Sequence, residues 1–215
     1  MNIHIYYRHA INNNINQFRP EWFNYEHCFV NFLNTIKRRD NIKLTLALDG
    51  DIENDFTKKY EDSFKLFQTN NNSSLISWRE LLGYIKTQDI PDNDIIYFVE
   101  NDYLHIKTWV DEIISLYSTY SNLTYVSLYD HNDKYIDSRY SQLSSKIICT
   151  DTSHWRTTPS TCGTFMINGK TFKEDYDVWS TAVGDHNTFL ELTEKRNRFV
   201  LTPIPGLATH CMEGL

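Results

Sequence analysis

The sequence predicts a single α/β domain in which helices flank a central, mostly parallel β-sheet. Its 215 residues suffice for one well-cored domain and leave little room for a second one. In the first half, apolar runs typical of buried strands alternate with segments whose apolar residues recur at helical spacing. This alternation is the pattern of βαβ units, whose strands lie parallel in one sheet.

Three strands are predicted in the first half, and polar residues follow each of them. The three runs are NIHIYYR, IKLTLALDGD and PDNDIIYFVEND. The apolar stretch IIYFV in the third run is typical of a buried strand. The polar residues at the three strand ends are, in chain order, Arg8 with His9, Asp49 with Asp51, and the group Glu100, Asn101 and Asp102.

Helical spacing predicts the segments between these strands. Helices are expected in PEWFNYEHCFVNFLNTIKR, where Pro20 suits a helix start, in SLISWRELLGYIKTQ and in TWVDEIISLYSTY. The second half is less regular, with a strand predicted in LTYVSLYD and a helix in DHNTFLELTEKR. The segments KIICTDTSHW, TCGTFMINGKTF and FVLTPIPGLATHCMEGL show no clear periodicity, and we find no repeat and no linker.

The polar strand ends predict a shared site. In open parallel sheets, ligands bind beyond the carboxyl ends of the strands, where loops and helix N-termini converge. Carboxylates at such an edge can hold a hard divalent cation, Mg²⁺ or Mn²⁺, which leaves its other positions to water and substrate phosphates. Alternatively, Glu100 and Asp102 only solvate the strand end and cap the following helix.

The composition of the chain argues against several classes of partner and site. The chain has 21 Lys and Arg against 28 Asp and Glu, a net charge of -7, so it lacks the basic footprint of a nucleic-acid-binding protein. It has no apolar stretch of about 20 residues and no signal-peptide layout at its start, so we expect a soluble, cytoplasmic protein without a membrane span. The four cysteines show no C-x-x-C spacing, which indicates neither a zinc site nor a disulfide framework.

Four short motifs, together with the order of elements, resemble nucleotide-sugar-dependent glycosyltransferases of the GT-A fold, close to the family 2 group. LALDGD is similar to the family's strand ending in Asp-Asp-Gly-Ser, and SSLISWRELLGYIK to its helix with an Ala-Arg-Asn core. IIYFVENDY resembles the strand that closes on the Asp-x-Asp metal motif. VGDHNTFLEL resembles the Glu-Asp pair that opens a late helix, although Gly184 replaces the usual acid.

The resemblance covers nearly the whole chain and implies a role for each motif residue. Asp49 would contact the nucleotide base, Asp102 would bind the metal, and Asp185 would be the catalytic base. His210, in LATHCMEGL, would be a further metal ligand, because related folds return a C-terminal His to the metal. The alternatives are a plain helix N-cap for Asp185 and an ordinary exposed side chain for His210.

The remaining donor contacts are expected from Arg8, Arg79, Glu100 and Asn101. A guanidinium matches phosphate geometry in a bidentate way, so Arg8 and Arg79 are candidates for the diphosphate, with surface salt bridges as the alternative. Glu100 and Asn101 would orient water or the ribose. The resemblance thus divides the single domain into a nucleotide-sugar-binding half, 1–103, and an acceptor-binding half, 104–215.

The acceptor side is predicted to include Trp155, which could stack on a sugar, and Thr161, Cys162 and His186, which could line the acceptor pocket. A Trp is more often part of the core, so this alternative stays open. Arg156 could pair with phosphate. The pair Asp130-His131 could contact donor or metal, or lie in a solvated turn.

LYDHNDKY and HWRTTPSTCGTFMI resemble, more narrowly, small viral glycosyltransferase domains of the chlorovirus capsid-modifying type. This narrower resemblance implies a viral protein that acts in protein glycosylation in the host cytoplasm.

The predicted function is that of a metal-dependent inverting glycosyltransferase with Mn²⁺ or Mg²⁺ as cofactor. Its partners would be a nucleotide-sugar donor and a glycan or glycoprotein acceptor. A carboxylate at Asp49 can accept the imide N–H of uracil, which favours a UDP-sugar, although guanine offers N–H donors too. One alternative is a non-catalytic carbohydrate-binding or scaffold domain of the same fold. The other is a sugar nucleotidyltransferase, which would need a Gly-rich, Lys-containing loop that YYRHAINNNINQF lacks.

Overall fold

The structure is a computed structural model that describes residues 1–11 and 18–213. It contains one nine-stranded sheet in the order β3-β2-β1-β4-β9-β6-β10-β8-β7 and a two-stranded sheet of β5 and β11. The strands are β1 (Ile3–Ala10), β2 (Ile42–Asp49), β3 (Lys65–Thr69), β4 (Ile95–Glu100), β5 (Tyr103–His105), β6 (Tyr125–Val126), β7 (Ile147–Cys149), β8 (His154–Thr158), β9 (Phe165–Asn168), β10 (Val200–Ile204) and β11 (Ala208–His210). The helices are α1 (Tyr25–Ile36), α2 (Ser74–Lys86), α3 (Trp109–Thr119), α4 (Asp133–Ile136), α5 (Gly169–Thr181) and α6 (Asp185–Lys195).

The first four strands of the sheet, β3-β2-β1-β4, run parallel. β1 pairs with β2 in a register that places Ala10 opposite Asp49, and with β4 in a register that places Arg8 opposite Glu100. The strand ends that carry the predicted donor residues therefore lie side by side. On the other side of β4, β9 pairs antiparallel with both β4 and β6, and β10 pairs parallel with β6. β8 is antiparallel to β10, and β7 is antiparallel to β8.

Helices cover both faces of the sheet, so its central strands are apolar on both sides. On β1, Tyr7 packs with Phe29 and Phe32 of α1 on one face, while Tyr6 packs against Phe98 beside the cluster of α2, α5 and α6 on the other. Each such side chain gains roughly 1.5–3 kcal/mol from burial. The predicted α/β class, with a central sheet between helices in one domain, is confirmed.

Several boundaries differ from the sequence-based expectation. α1 begins at Tyr25 rather than at Pro20, because Asn24 caps it by accepting the backbone N–H of His27. Trp22 lies outside the helix and is 58% exposed. The sequence did not predict β3, the 3₁₀ turns at Ile52–Asn54 and Phe56–Ser63, or α5.

The two-stranded sheet brings a late segment of the chain to the end of β4. β11 pairs antiparallel with β5, which follows β4 after a two-residue turn, and His210 lies opposite Tyr103. Their rings stack in parallel with centroids 4.7 Å apart. Among the helices that the structure describes, none is both long and apolar enough to span a bilayer.

Candidate functional site

A cleft of about 430 Å³ opens at the carboxyl ends of β1, β2 and β4. Five of the six predicted donor-binding residues line it, and Arg19, which the sequence did not single out, lines it as well. Its charged and amide-bearing wall includes Arg8, Arg19, Asp49, Glu100, Asn101 and Asp102. Arg79, the sixth predicted residue, is exposed on α2 and does not line the cleft. The binding roles of all six remain predictions.

Asp49 is held by its own loop. One carboxylate oxygen accepts the backbone N–H of Asn71 at 2.7 Å and the hydroxyl of Thr69 at 3.2 Å, and the other accepts the N–H of Ser73 at 3.2 Å. Burial alone would raise the pKa of Asp49, but these N–H donors hold it below its ordinary value. Asp49 therefore orders the loop between β3 and α2, and little of its hydrogen-bonding capacity remains for a ligand.

Asn101 is oriented by a histidine and a second carboxylate. Asp55 lies 3.0 Å from His9 Nε2, and Asn101 Nδ2 lies 2.7 Å from His9 Nδ1. Because an ionised carboxylate only accepts hydrogen bonds, Nε2 carries the proton and Nδ1 accepts from the Asn101 amide. All three residues are buried or nearly so, and this relay fixes the Asn101 side chain at the wall of the cleft.

Asp102 and His210 meet at the edge of the cleft. His210 Nε2 lies 3.1 Å from Asp102 Oδ2, and Arg19 Nη2 donates to the same oxygen at 2.5 Å. Burial alone would raise the pKa of Asp102, but His210 and Arg19 hold it below its ordinary value. The other oxygen, Oδ1, is buried and has no hydrogen-bond partner among the described residues.

These residues fit a hard cation in part. The unpartnered Asp102 Oδ1 is a buried acceptor that a cation would satisfy, and the nearby His210 imidazole is a second ligand of suitable chemistry. Within residues 1–11 and 18–213, no group of three or more His, Cys, Asp or Glu side chains is placed to hold a metal ion. A cation here would therefore take its remaining ligands from water and from a bound diphosphate.

Two further carboxylates, Glu100 and Asp185, flank Gly163. Asp185 accepts the backbone N–H of Gly163, while a Cβ added at Gly163 would lie 2.7 Å from Glu100 Oε1. Only glycine fits between these groups without displacing one of them. Arg8 lies beside them, with Nη1 3.7 Å from Glu100 Oε1 and its guanidinium 4.8 Å from the centre of the Trp78 ring.

The environment raises the pKa values of both carboxylates. For Glu100, burial is the main cause, Asp102 and Asp185 add repulsion, Arg8 opposes them, and the resulting pKa is about 7. For Asp185, burial again raises the pKa while Arg8 lowers it. Asp185 is nevertheless accessible to solvent. A carboxyl group in this setting is suited to general-base chemistry.

The start of α6 differs from the predicted cap. Gly184, with φ of 85°, is the residue before the first helical turn, and it supplies no side-chain cap. Asp185 is the first residue of the helix, so the alternative that it is a plain N-cap is wrong. Its carboxylate bonds to the Gly163 loop instead.

The predicted acceptor residues are only partly at the surface. Trp155 is completely buried in the core, so the prediction that it stacks on an acceptor sugar is wrong. Thr161 is buried and donates to Ser127 Oγ at 2.9 Å, and Cys162 Sγ lies 2.7 Å from the hydroxyl of Tyr103. His186 is exposed on α6. The acceptor roles of Thr161, Cys162 and His186 stay predictions.

Arg156 is already paired within the protein. It donates to Asp130 at 2.7 Å, and Tyr135 donates to the other oxygen of the same carboxylate at 2.5 Å. The guanidinium lies 5.1 Å from the centre of the Tyr135 ring. His131 follows on the same loop, near Asp133. Asp130 and Arg156 thus satisfy each other's charge within the protein, and a bound phosphate is not needed to explain the position of Arg156.

No protein-family model matches the sequence, and no curated protein is significantly similar to it. Two solved structures of residues 1–349 of TarS from S. aureus are similar in fold, at 12% identity and over 94% of this chain. Their TM-scores are 0.53 and, for the structure in complex with UDP-GlcNAc, 0.55. This chain spans only 58% and 56% of those two chains.

A cytidylyltransferase from Leptospira borgpetersenii matches with a TM-score of 0.48 and 12% identity, over 92% of this chain and 73% of that one. A score at this level supports no argument about shared function. The matches to TarS show that the chain has the α/β fold of nucleotide-diphospho-sugar transferases, the GT-A-like fold expected from the sequence.

Proposed function

We propose that this protein is a metal-dependent inverting glycosyltransferase. It would move a sugar from a nucleoside-diphosphate donor, with a UDP-sugar favoured, to a hydroxyl group of a glycan or glycoprotein. The observation that carries the proposal is the meeting of Asp102 and His210 at the edge of the cleft, with Asp185 close to Arg8 and Glu100, which line it. The UDP-GlcNAc complex of TarS, which has the same fold, supports a nucleotide sugar as the ligand.

The donor would lie in the cleft, whose lining residues all fall between positions 8 and 102. This distribution supports 1–103 as the nucleotide-sugar-binding half. Asn101, fixed by His9, presents an amide to the ribose or to ordered water. Arg8 is the cation nearest to Glu100 and is free to shift toward phosphate, because its distance of 3.7 Å from that carboxylate is too long for a strong hydrogen bond.

The departing diphosphate needs positive charge. Asp102 and His210 would hold Mn²⁺ or Mg²⁺, which stabilises the charge that develops on a diphosphate leaving group. The protein itself adds the guanidinium groups of Arg8 and Arg19 at the same wall.

The acceptor hydroxyl would lose its proton to Asp185. An inverting transfer requires a base on the side of the sugar opposite the leaving group. Asp185 is accessible to solvent, and its raised pKa makes it a stronger proton acceptor than an ordinary aspartate. The backbone N–H of Gly163 fixes the carboxylate, so the base is oriented before the acceptor binds.

A donor screen tests this proposal. UDP- and GDP-sugars are incubated with the protein, Mn²⁺ and a set of glycan acceptors, and the released nucleoside diphosphate and the anomeric configuration of the product are measured. Mn²⁺-dependent release with inverted configuration is expected. Tight donor binding without turnover would instead establish a non-catalytic domain. Formation of a sugar nucleotide from a nucleoside triphosphate and a sugar phosphate would establish a nucleotidyltransferase.

The narrower resemblance to chlorovirus capsid-modifying domains makes a capsid glycoprotein one acceptor to include. Whether the protein acts in a host cytoplasm stays a prediction from that resemblance.

A further inference from the structure

Arg19 occupies the position next to the candidate cation site. Its Nη2 donates to Asp102 Oδ2 at 2.5 Å, its Nη1 donates to the carbonyl of Cys211 at 2.8 Å, and its guanidinium lies 4.8 Å from the centre of the Phe23 ring. The side chains of Arg19 and Asp102 are only 11% and 12% exposed. This is a fixed, largely desolvated ion pair rather than a mobile surface contact.

One hydrogen-bond donor and one hydrogen-bond acceptor of this ion pair have no partner among the described residues. Among residues 1–11 and 18–213, Arg19 Nε is a buried donor without an acceptor, and Asp102 Oδ1 is a buried acceptor without a donor. Leaving such buried groups unpaired is unfavourable, because they have lost their hydrogen bonds to water. A nucleoside diphosphate with its divalent cation supplies both missing partners, since a phosphate oxygen accepts from Arg19 and the cation meets Asp102.

The positive charge of Arg19 also constrains the order in which the cation and the diphosphate bind. A divalent cation that binds Asp102 alone would place its charge beside the Arg19 guanidinium and would compete for the same carboxylate. A diphosphate that arrives with the cation offers Arg19 another anionic partner and removes this repulsion. The free cleft therefore disfavours the cation and favours the complex of cation and diphosphate.

We infer that Arg19 exchanges partners, pairing with Asp102 in the free protein and with the donor diphosphate once a divalent cation has taken Asp102. This inference rests on the proposed function and adds a residue that couples the two ligands. Because such coupling is reciprocal, the nucleotide must raise the affinity for the cation by the same factor as the cation raises the affinity for the nucleotide.

Binding measurements on Arg19→Gln test the inference without an activity assay. Free Mn²⁺ is titrated by electron paramagnetic resonance with and without UDP, and UDP and uridine binding are measured by calorimetry. We expect wild type to bind Mn²⁺ about 10-fold more tightly with UDP. In Arg19→Gln, Mn²⁺ alone should bind about 10-fold more tightly than in wild type, UDP about 10-fold more weakly, and uridine as in wild type.

Two further variants serve as controls. Arg139→Gln removes an exposed arginine that pairs with the neighbouring Asp137, and it should match wild type in every titration. Arg19→Lys keeps the positive charge and should keep Mn²⁺ alone weakly bound, even if Arg19→Gln does not fold. If wild type and the Arg19 variants bind Mn²⁺ and UDP equally well, the inference is wrong while the proposed function stands. If wild type binds neither ligand, both are wrong.

Discussion

Asp49 is the last residue of one parallel strand, and Asp102 lies two residues beyond the end of another. Both carboxylates are buried and line the same cleft, yet they differ in how many of their oxygens have hydrogen-bond partners. Asp49 accepts hydrogen bonds from its own loop at both oxygens. Asp102 shares one oxygen between Arg19 and His210, and the other has no partner within the described part of the chain. A carboxylate satisfied by its own loop stabilises the fold, whereas one with an unsatisfied buried oxygen is suited to a ligand. The position at a strand end does not distinguish the two.

The largest effect is expected at Asp185, the proposed catalytic base, which is exposed whereas Asp102 is buried. In Asp185→Asn the amide cannot accept a proton at neutral pH, while its size is retained. Transfer should fall by at least about 100-fold with donor affinity nearly unchanged. Initial rates and donor titrations measure this, with the exposed Glu191→Gln on the same helix as the control. A near wild-type rate would show that Asp185 is not the base.

Asp102→Ala removes the proposed main ligand of the cation and should abolish Mn²⁺-dependent donor binding, an effect of about 100-fold or more. Donor binding in the presence of a chelator should persist, since Arg8 and Arg19 remain. Calorimetric titrations of UDP with Mn²⁺ and with EDTA give both values, and the exposed Asp62→Ala is the control. Unchanged metal dependence would show that Asp102 is not the cation ligand.

His210→Ala should weaken Mn²⁺ affinity about 10-fold, because the site keeps Asp102 and the diphosphate oxygens. The stacking of His210 on Tyr103 is lost too, so the unfolding temperature is measured alongside the metal titration. His27→Ala removes an exposed histidine of α1 for comparison. An unaltered titration would return His210 to a structural role in the two-stranded sheet.

Asp49→Asn tests whether Asp49 stabilises its loop rather than binding the donor. It removes a charged acceptor and turns one oxygen into a donor, which faces either the Asn71 or the Ser73 N–H. The free energy of unfolding should fall by about 1–3 kcal/mol, while donor affinity changes by only a few fold. Thermal unfolding and UDP titration measure these, with Asp62→Asn as the control. Lost UDP binding at unchanged stability would make Asp49 a base-binding residue, as the sequence predicted.

The contributions of Asp49 and Glu100 to stability should change with pH in opposite directions. Asp49 has a lowered pKa, so its stabilisation is present above the ordinary aspartate pKa and is lost as pH falls below it. Glu100 has a pKa of about 7, raised by burial, so the native state binds its proton more tightly than the unfolded state does. Stability from Glu100 should therefore decrease as pH rises from about 4.5 to about 7.

Glu100→Gln should remove this decrease. Its side chain is 32% exposed, so solvent screening limits the gain above pH 7 to about 1 kcal/mol, or about 2–4 °C in Tm. Thermal unfolding between pH 4 and pH 8, without metal, measures the difference between variant and wild type. A difference that does not change with pH would show that Glu100 is charged throughout, as an unburied glutamate would be.

Sequence patterns identified the parallel strands and the convergence of their polar ends, because both follow from periodicity and chain direction. They did not identify α5, whose apolar face carries the buried Asp175 and so breaks the pattern; Arg198 and Tyr125 satisfy that carboxylate from other elements. They also placed Trp155 at a pocket, since residue type alone does not show which face of a strand is covered.

Arg19 was missed for a different reason. It pairs with Asp102 across 83 positions, and no local motif marks either residue as the partner of the other. The contact of Cys28 Sγ with Cys211 Sγ, at 3.8 Å and across 183 positions, is hidden in the same way. The position of Cys211 depends on how β11 returns to β5, and that return leaves no periodic signal in the sequence.

Because β11 pairs with β5, the candidate cation site combines two residues that are synthesised at different times. Asp102 and His210 are 108 positions apart, and ribosomes add about 5–20 residues per second, so roughly 5–20 seconds pass between them. During this interval β1 to β4 have been synthesised, whereas β9, which pairs with β4, and β11, which carries His210, are still to come. A site that uses both Asp102 and His210 can therefore form only when synthesis of the chain is nearly finished.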